Sequence, residues 1–224
     1  MNSENKEQNI ETFSAYWHVE GNPKQTAKAG HIKHAQEKNL DYFICPQNQI
    51  GNFDNRIDLE FDDLPSLPYI KNLTNFCKSK DTVFAKFNLK ITSEAFLKLV
   101  TIWTSKVLFF QKILDYTDAD YLMWIDCVHS KDQQRIASID SDRCCSTKYH
   151  CSQLNGRIFG GLIENTLPST KILAQVIKLP RYLVTQFIEK YIECLQFVDN
   201  NFDIYDEEIV LTIMLSKYPD LFHS

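Results

Sequence analysis

Apolar and polar positions alternate along this chain with two distinct periods, and the clearest pattern surrounds one short run. Asp120-Tyr121-Leu122-Met123-Trp124-Ile125-Asp126-Cys127-Val128-His129 opens on turn-forming residues, passes through an unbroken apolar stretch and stops on a carboxylate. Such a run, bounded by turn signals, predicts a strand buried on both faces. In open α/β sheets ligands bind beyond the carboxyl ends of such strands, so Asp126 is the first candidate for a functional group. Upstream, Phe96, Val100, Trp103, Val107, Phe110 and Leu114 recur at alternating steps of four and three. That spacing predicts one long amphipathic helix, capped by Thr92 or Ser93, with Glu94 in its first turn. Ser105 and Lys106 fall beside the stripe, where a lysine reads as solvated. Downstream, Leu183, Val184, Phe187, Ile188, Tyr191, Ile192 and Leu195 predict a second helix over 181–200, behind Pro180. A last helix opens at Asp206-Glu207-Glu208, carries Ile209, Val210, Ile213, Met214 and Leu215, and is closed by Pro219. Acids suit a helix N-terminus. Three exceed what capping requires, which leaves one to face a cleft.

Residues 12–19 and 41–45 read as strands, and the polar, lysine-rich 24–38 between them as a helix, which together make a βαβ unit. Residues 1–11 read as a tail. The span 47–81 has no clear period. Its acids, Asp54, Asp58, Glu60, Asp62 and Asp63, are those of a solvated loop or of metal ligands. Residues 155–163 read as a strand interrupted by Gly160-Gly161, which marks either a turn or a close approach of a ligand to the backbone. A long helix beside a central buried strand, with strand–helix–strand upstream, predicts one α/β domain over residues 1–224.

Composition narrows this little. The chain has 224 residues, 44% hydrophobic and 24% charged, which is an ordinary globular balance; with Gly 6 and Pro 7, low-complexity architectures are excluded. A net charge of −5 with no basic face argues against nucleic acid as a partner. No secretory signal or membrane-length apolar run is visible, so the expected location is cytoplasmic, including the cytoplasmic face of the membrane. Seven cysteines without a signal peptide are expected to be reduced. Cys127, His129, Cys144, Cys145, His150 and Cys151 could form a zinc module, although adjacent Cys144 and Cys145 do not easily face one ion.

Several separated pieces resemble one family. Ser93-Glu94 leads into Trp103-Thr104-Ser105-Lys106; Tyr121-Leu122-Met123-Trp124-Ile125-Asp126 follows, then Phe159-Gly160-Gly161, Asp206-Glu207 and Tyr218-Pro219-Asp220-Leu221-Phe222. In order and approximate separation they resemble the YibB/HtrL-like group of bacterial glycosyltransferases. The resemblance covers the chain from about Tyr42 onward. It implies a GT-A, Rossmann-like fold: a mixed, mostly parallel central sheet with helices on both faces. It also implies transfer of a sugar from a nucleotide-sugar donor to a glycan or lipid-linked glycan of the cell surface. By that resemblance Asp126 matches the first acid of a D-x-D element, which holds the donor ribose and a divalent cation, Mn²⁺ or Mg²⁺, on the diphosphate. Val128 replaces the second acid and cannot ligate, so His129 and His223 are the remaining metal candidates. The resemblance further implies Lys106, Ser105, Gly160 and Gly161 as donor contacts, and Asp206 or Glu207 as the base for an acceptor hydroxyl. Two other readings stay open: a GT-A-like domain that binds without catalysis, motivated by Val128, and the zinc-binding regulatory module.

Overall fold

The computed structural model describes residues 8–20, 33, 36–37, 39–48, 53–85, 89–127, 132–150 and 170–224, with the backbone alone for 83–85, 89–90 and 150. Five strands share one direction in a six-stranded sheet. They are β1 (Ile10–Ala15), β2 (Tyr42–Cys45), β3 (Arg56–Asp58), β6 (Tyr121–Ile125) and β7 (Cys145–His150), and β8 (Thr170–Pro180) alone runs against them. The order is β3-β2-β1-β6-β8-β7, and β4 (Thr82–Ala85) and β5 (Leu89–Thr92) form a separate antiparallel pair. The helices whose bounds lie among the described residues are α1 (Lys71–Lys78), α2 (Ser93–Ser105), α3 (Phe109–Ile113), α4 (Gln133–Ala137), α5 (Val184–Asn201) and α6 (Glu207–Lys217). This is the mixed, mostly parallel α/β sheet that the sequence leads one to expect. No helix among the described residues is long and apolar enough to cross a membrane.

Strand periodicity sets the two faces. In β6, Leu122 and Trp124 point into the main core with Phe13, Phe110 and residues of α2, α5 and α6. Met123 and Ile125 point the other way, where Ile136 of α4 covers them with Cys145 and Val176. Helices therefore lie on both faces. Phe13 anchors the main core edge-on to Phe110 at 4.7 Å and to Trp124 at 5.6 Å; such aromatic pairs add about 0.5–1.5 kcal/mol each beyond their buried area.

β1 begins at Ile10, inside the stretch that reads as a tail, because Ile10 to Phe13 pair with Tyr121 to Trp124 and their backbone groups are satisfied there. The single helix expected over the Phe96–Leu114 stripe is two helices. α2 ends at Ser105, and the chain tightens through Lys106–Leu108 into α3 with Lys106 N donating to Trp103 O and Phe110 N to Val107 O. The cause is local: the Thr101, Thr104 and Ser105 hydroxyls each donate to a carbonyl four residues back, a habit that bends helices. The span 47–81 resolves into β3, two single 3-10 turns and α1, whose buried face is Leu73 and Cys77. Most of 24–38, all of 155–163, and Val128 and His129 lie outside the described residues.

Candidate functional site

Alternation along β6 decides where Asp126 goes. It shares parity with Leu122 and Trp124, so its side chain turns toward the face covered by α2 and α6, while Cys127 turns to the opposite face with Phe43 and Cys45. Asp126 stands one residue past β6. Its N–H donates to Gln175 O of β8 at 2.8 Å. There the β7–β8 register jumps, from Ser146 opposite Ile177 to Thr147 opposite Leu173. A bulge at this level bends β8 beside the end of β6, a common device next to functional sites. On the other flank, β1 sends the chain outward to β2 and β3, whereas β6 lies on its opposite side. The carboxyl ends of β1 and β6 thus form the switch point at which open sheets place ligands.

Among the described residues, two side chains hold the Asp126 carboxylate. Trp124 Nε1 donates to Oδ1 at 2.9 Å. Lys106 Nζ donates to the same oxygen at 2.8 Å, and also to Glu207 Oε1 at 2.8 Å. The ammonium further sits 5.6 Å from the centroid of the Trp124 ring. The Lys106 and Glu207 side chains are 8% and 7% exposed and Asp126 is 27% exposed, so Asp126 is the open end of a buried chain of charges. Burial opposes the charge on Lys106, but Asp126 and Glu207 more than offset it and hold the ammonium above the usual lysine range. Burial pushes Glu207 up to about 7; Lys106 pulls against that, and neighbouring Asp206 and Glu208 add to it. Geometry helps: Lys106 follows the C-terminus of α2 and Glu207 opens α6, so each charge complements its helix dipole.

The three acids that open α6 have three separate tasks. Asp206 is the N-cap, its carboxylate accepting from Ile209 N at 3.1 Å. Glu207 grips Lys106. Glu208 pairs with Lys171 of β8 at 2.7 Å. The sequence leads one to expect one of the three to face a cleft; Glu207 instead turns into the interior, onto Lys106. Lys106 is buried, contrary to the solvated lysine that its position suggests, because α6 brings a carboxylate over it. Its ammonium is a strut beneath Asp126 and does not face solvent as a phosphate contact would. Ser105 is fully buried; its hydroxyl donates to Thr101 O and lies within hydrogen-bond distance of Ser66 Oγ, each at 2.8 Å, fastening the loop before α1 to the end of α2. It offers nothing to a ligand. Behind it, Tyr191 donates to Thr104 O at 3.0 Å and fixes the same turn from α5.

His223 is not brought to Asp126. Its N–H donates to Cys144 O, and Cys145 pairs through Lys178 with Met123, three residues short of Asp126 and two strands away. That places Cys145, beside the residue that His223 pairs with, about 10 Å along and about 10 Å across the sheet from Asp126. His223 Nδ1 contacts Ser141 Oγ instead, at 3.2 Å. Gly160, Gly161 and His129 fall outside the described residues. Among the described residues no three His, Cys, Asp or Glu side chains converge as a metal site. Among the described residues, Mn²⁺ or Mg²⁺ here would have one protein ligand, Asp126, whose Oδ1 already accepts two hydrogen bonds. The three ionised groups sum to a negative charge, which suits a cation, but the described donor set does not fit a cage built by the protein alone. Of the zinc set, the described Cys144, Cys145 and Cys127 are buried in three different core clusters, while His129, Cys151 and the His150 side chain lie outside the described residues. The Cys127 thiol lies 3.0 Å from Ser14 Oγ.

No protein-family model and no curated protein matches the chain. The site therefore stands on its geometry. Trp124 is the residue most easily missed, although it precedes Asp126 by two on one face of a strand, and that spacing alone signals contact.

Proposed function

We propose that the chain is a glycosyltransferase that binds a nucleotide-sugar donor at Asp126 and passes the sugar to a glycan or lipid-linked glycan hydroxyl. The observation that supports this most is the placement of Asp126: a partly exposed carboxylate at the β1–β6 switch point, locked in one orientation by Trp124 and by the Lys106–Glu207 pair. A rigid acceptor of this kind suits the vicinal hydroxyls of a ribose or sugar. In the transfer, the acceptor oxygen bonds to the anomeric carbon, the bond from that carbon to the diphosphate oxygen breaks, and the acceptor proton passes to a base. Of the two acids expected in that role, Asp206 is committed to its cap. Glu207 is the other; it is 7% exposed and engaged with Lys106, so it serves as base only where the acceptor hydroxyl reaches its second carboxylate oxygen. A divalent cation, when bound, would neutralise the leaving diphosphate, with Asp126 as its protein ligand.

The test is release of nucleoside diphosphate from a panel of nucleotide sugars, with and without Mn²⁺. Turnover that disappears in Asp126→Asn supports the proposal, and turnover retained in that variant removes Asp126 from it. Binding without turnover favours a non-catalytic ligand-binding domain. That reading draws on the engagement of both Asp126 and Glu207 with Lys106.

A further inference from the structure

A cleft of about 400 Å³ opens between the start of α1 and the end of α5, lined in part by Tyr69, Lys71, Asn72, Gln196, Asp199 and Asn200. We infer that it is a binding site for a neutral carbohydrate unit, separate from the Asp126 site. Its volume falls in the range of small-molecule sites, roughly 300–1,000 Å³.

Its chemistry selects the ligand. The N-terminus of α1 would ordinarily invite an anion. Here Asp199, which is buried, already occupies it: the carboxylate accepts from Asn72 N at 2.8 Å, Leu73 N at 3.0 Å and Tyr205 Oη at 2.7 Å. A phosphate entering the cleft would meet that carboxylate in place of free N–H groups. What remains is the exposed Lys71 ammonium at the rim, set against the Asp199 carboxylate, and an array of amides. Asn72 Nδ2 donates to Asn200 Oδ1 at 2.9 Å, which orients both side chains. The carbonyl of Asn72 and the amino group of Asn200 are then left as an acceptor beside a donor. Gln196, exposed on the same side of α5, adds another of each. Alternating donors and acceptors at this spacing match vicinal hydroxyls, and the half-buried ring of Tyr69 gives an apolar surface for the C–H face of a sugar.

α5 begins where β8 ends, opposite Tyr121 at the start of β6. Its 18 residues rise about 27 Å and end beside Asn200. Tyr205, bound to Asp199, precedes Glu207 by two residues. The cleft and the charged site are thus joined through the α5–α6 connection.

The experiment is protein-observed NMR of the full chain. It is titrated in the millimolar range with methyl glycosides of glucose, galactose, mannose and N-acetylglucosamine, and separately with inorganic phosphate. Saturable shifts of the Asn72, Gln196 and Asn200 side-chain amides with at least one glycoside are expected. Asn200→Ala and Gln196→Ala, both exposed, should each weaken that binding about tenfold, as expected for loss of one or two hydrogen bonds. Neither should change nucleotide binding at Asp126, which keeps the two sites distinguishable. No saturable shift with any glycoside overturns the inference, and so does a response to phosphate alone.

Discussion

Replacing Lys106 with methionine removes one charge and keeps most of the aliphatic stem. In the intact protein Asp126 Oδ1 and Glu207 Oε1 each lie 2.8 Å from one nitrogen, so these oxygens are at most 5.6 Å apart. Without the ammonium, two ionised carboxylates at that separation repel by about 3 kcal/mol at an effective dielectric near 20. Glu207, 7% exposed, has also lost its counter-charge. Breaking a buried pair from one side costs about 3–5 kcal/mol. Glu207 can escape by taking a proton, and burial already pushes it up to about 7 with Lys106 in place. Lys106 pulls that value down, so its removal moves it higher. The loss should therefore be large, about 3–5 kcal/mol, near pH 8, where keeping the proton is costly, and about 1–2 kcal/mol near pH 5.5, where it is not. Urea denaturation at both pH values measures this, and the Lys106→Met/Glu207→Gln double variant completes the cycle by recovering most of the loss near pH 8. Equal losses at both pH values, or a loss under about 1 kcal/mol near pH 8, would refute the buried triad.

Three further outcomes follow from the same contacts. Trp124→Phe deletes the indole donor to Asp126, and should cost about 1–2 kcal/mol of stability because water can partly replace it at a half-open carboxylate; thermal unfolding with and without nucleotide checks this. Asp199→Ala strips two N–H partners from α1 and leaves Tyr205 Oη buried without an acceptor, for about 2–4 kcal/mol in chemical denaturation, while Asp199→Asn should cost less because its carbonyl oxygen still accepts. Glu207 binds its proton more tightly folded than unfolded, so its contribution is fully present below about pH 4.5 and is lost as pH rises through about 7, up to ~3 kcal/mol; a stability–pH profile should fall across that window in the native chain and flatten in Glu207→Gln.

Asp126 and its strand were legible because a central strand writes its own signature: apolar on both faces, stopped by a carboxylate. The parity that points Asp126 toward the helices is contained in the same run. Lys106 was legible only as a position on a helix. Its burial depends on Glu207, 101 residues later, arriving over it, and no local pattern records such a meeting. The division of Asp206, Glu207 and Glu208 among cap, strut and ion pair is hidden for the same reason, since Lys106 and Lys171 come from other elements. His223 illustrates the opposite error. Its family-implied role needed proximity to Asp126, and the antiparallel register of β7 on β8 carries the chain end to the far end of β6. Cys144 and Cys145 needed only the strand period to be separated, because neighbours in a strand face opposite sides. The short elements of 53–78 left little trace because turns and an eight-residue helix carry too few apolar positions to set a period.

Asp126 is proposed to receive a nucleotide-sugar donor at the β1–β6 switch point. Calorimetric titration of nucleoside diphosphates and nucleotide sugars into the native chain and into Asp126→Asn tests it most directly. Saturable binding weakened roughly 10- to 100-fold by the variant, the loss of a hydrogen bond to a charged group, is the predicted result. Equal affinity in both proteins, or no binding to either, would contradict it.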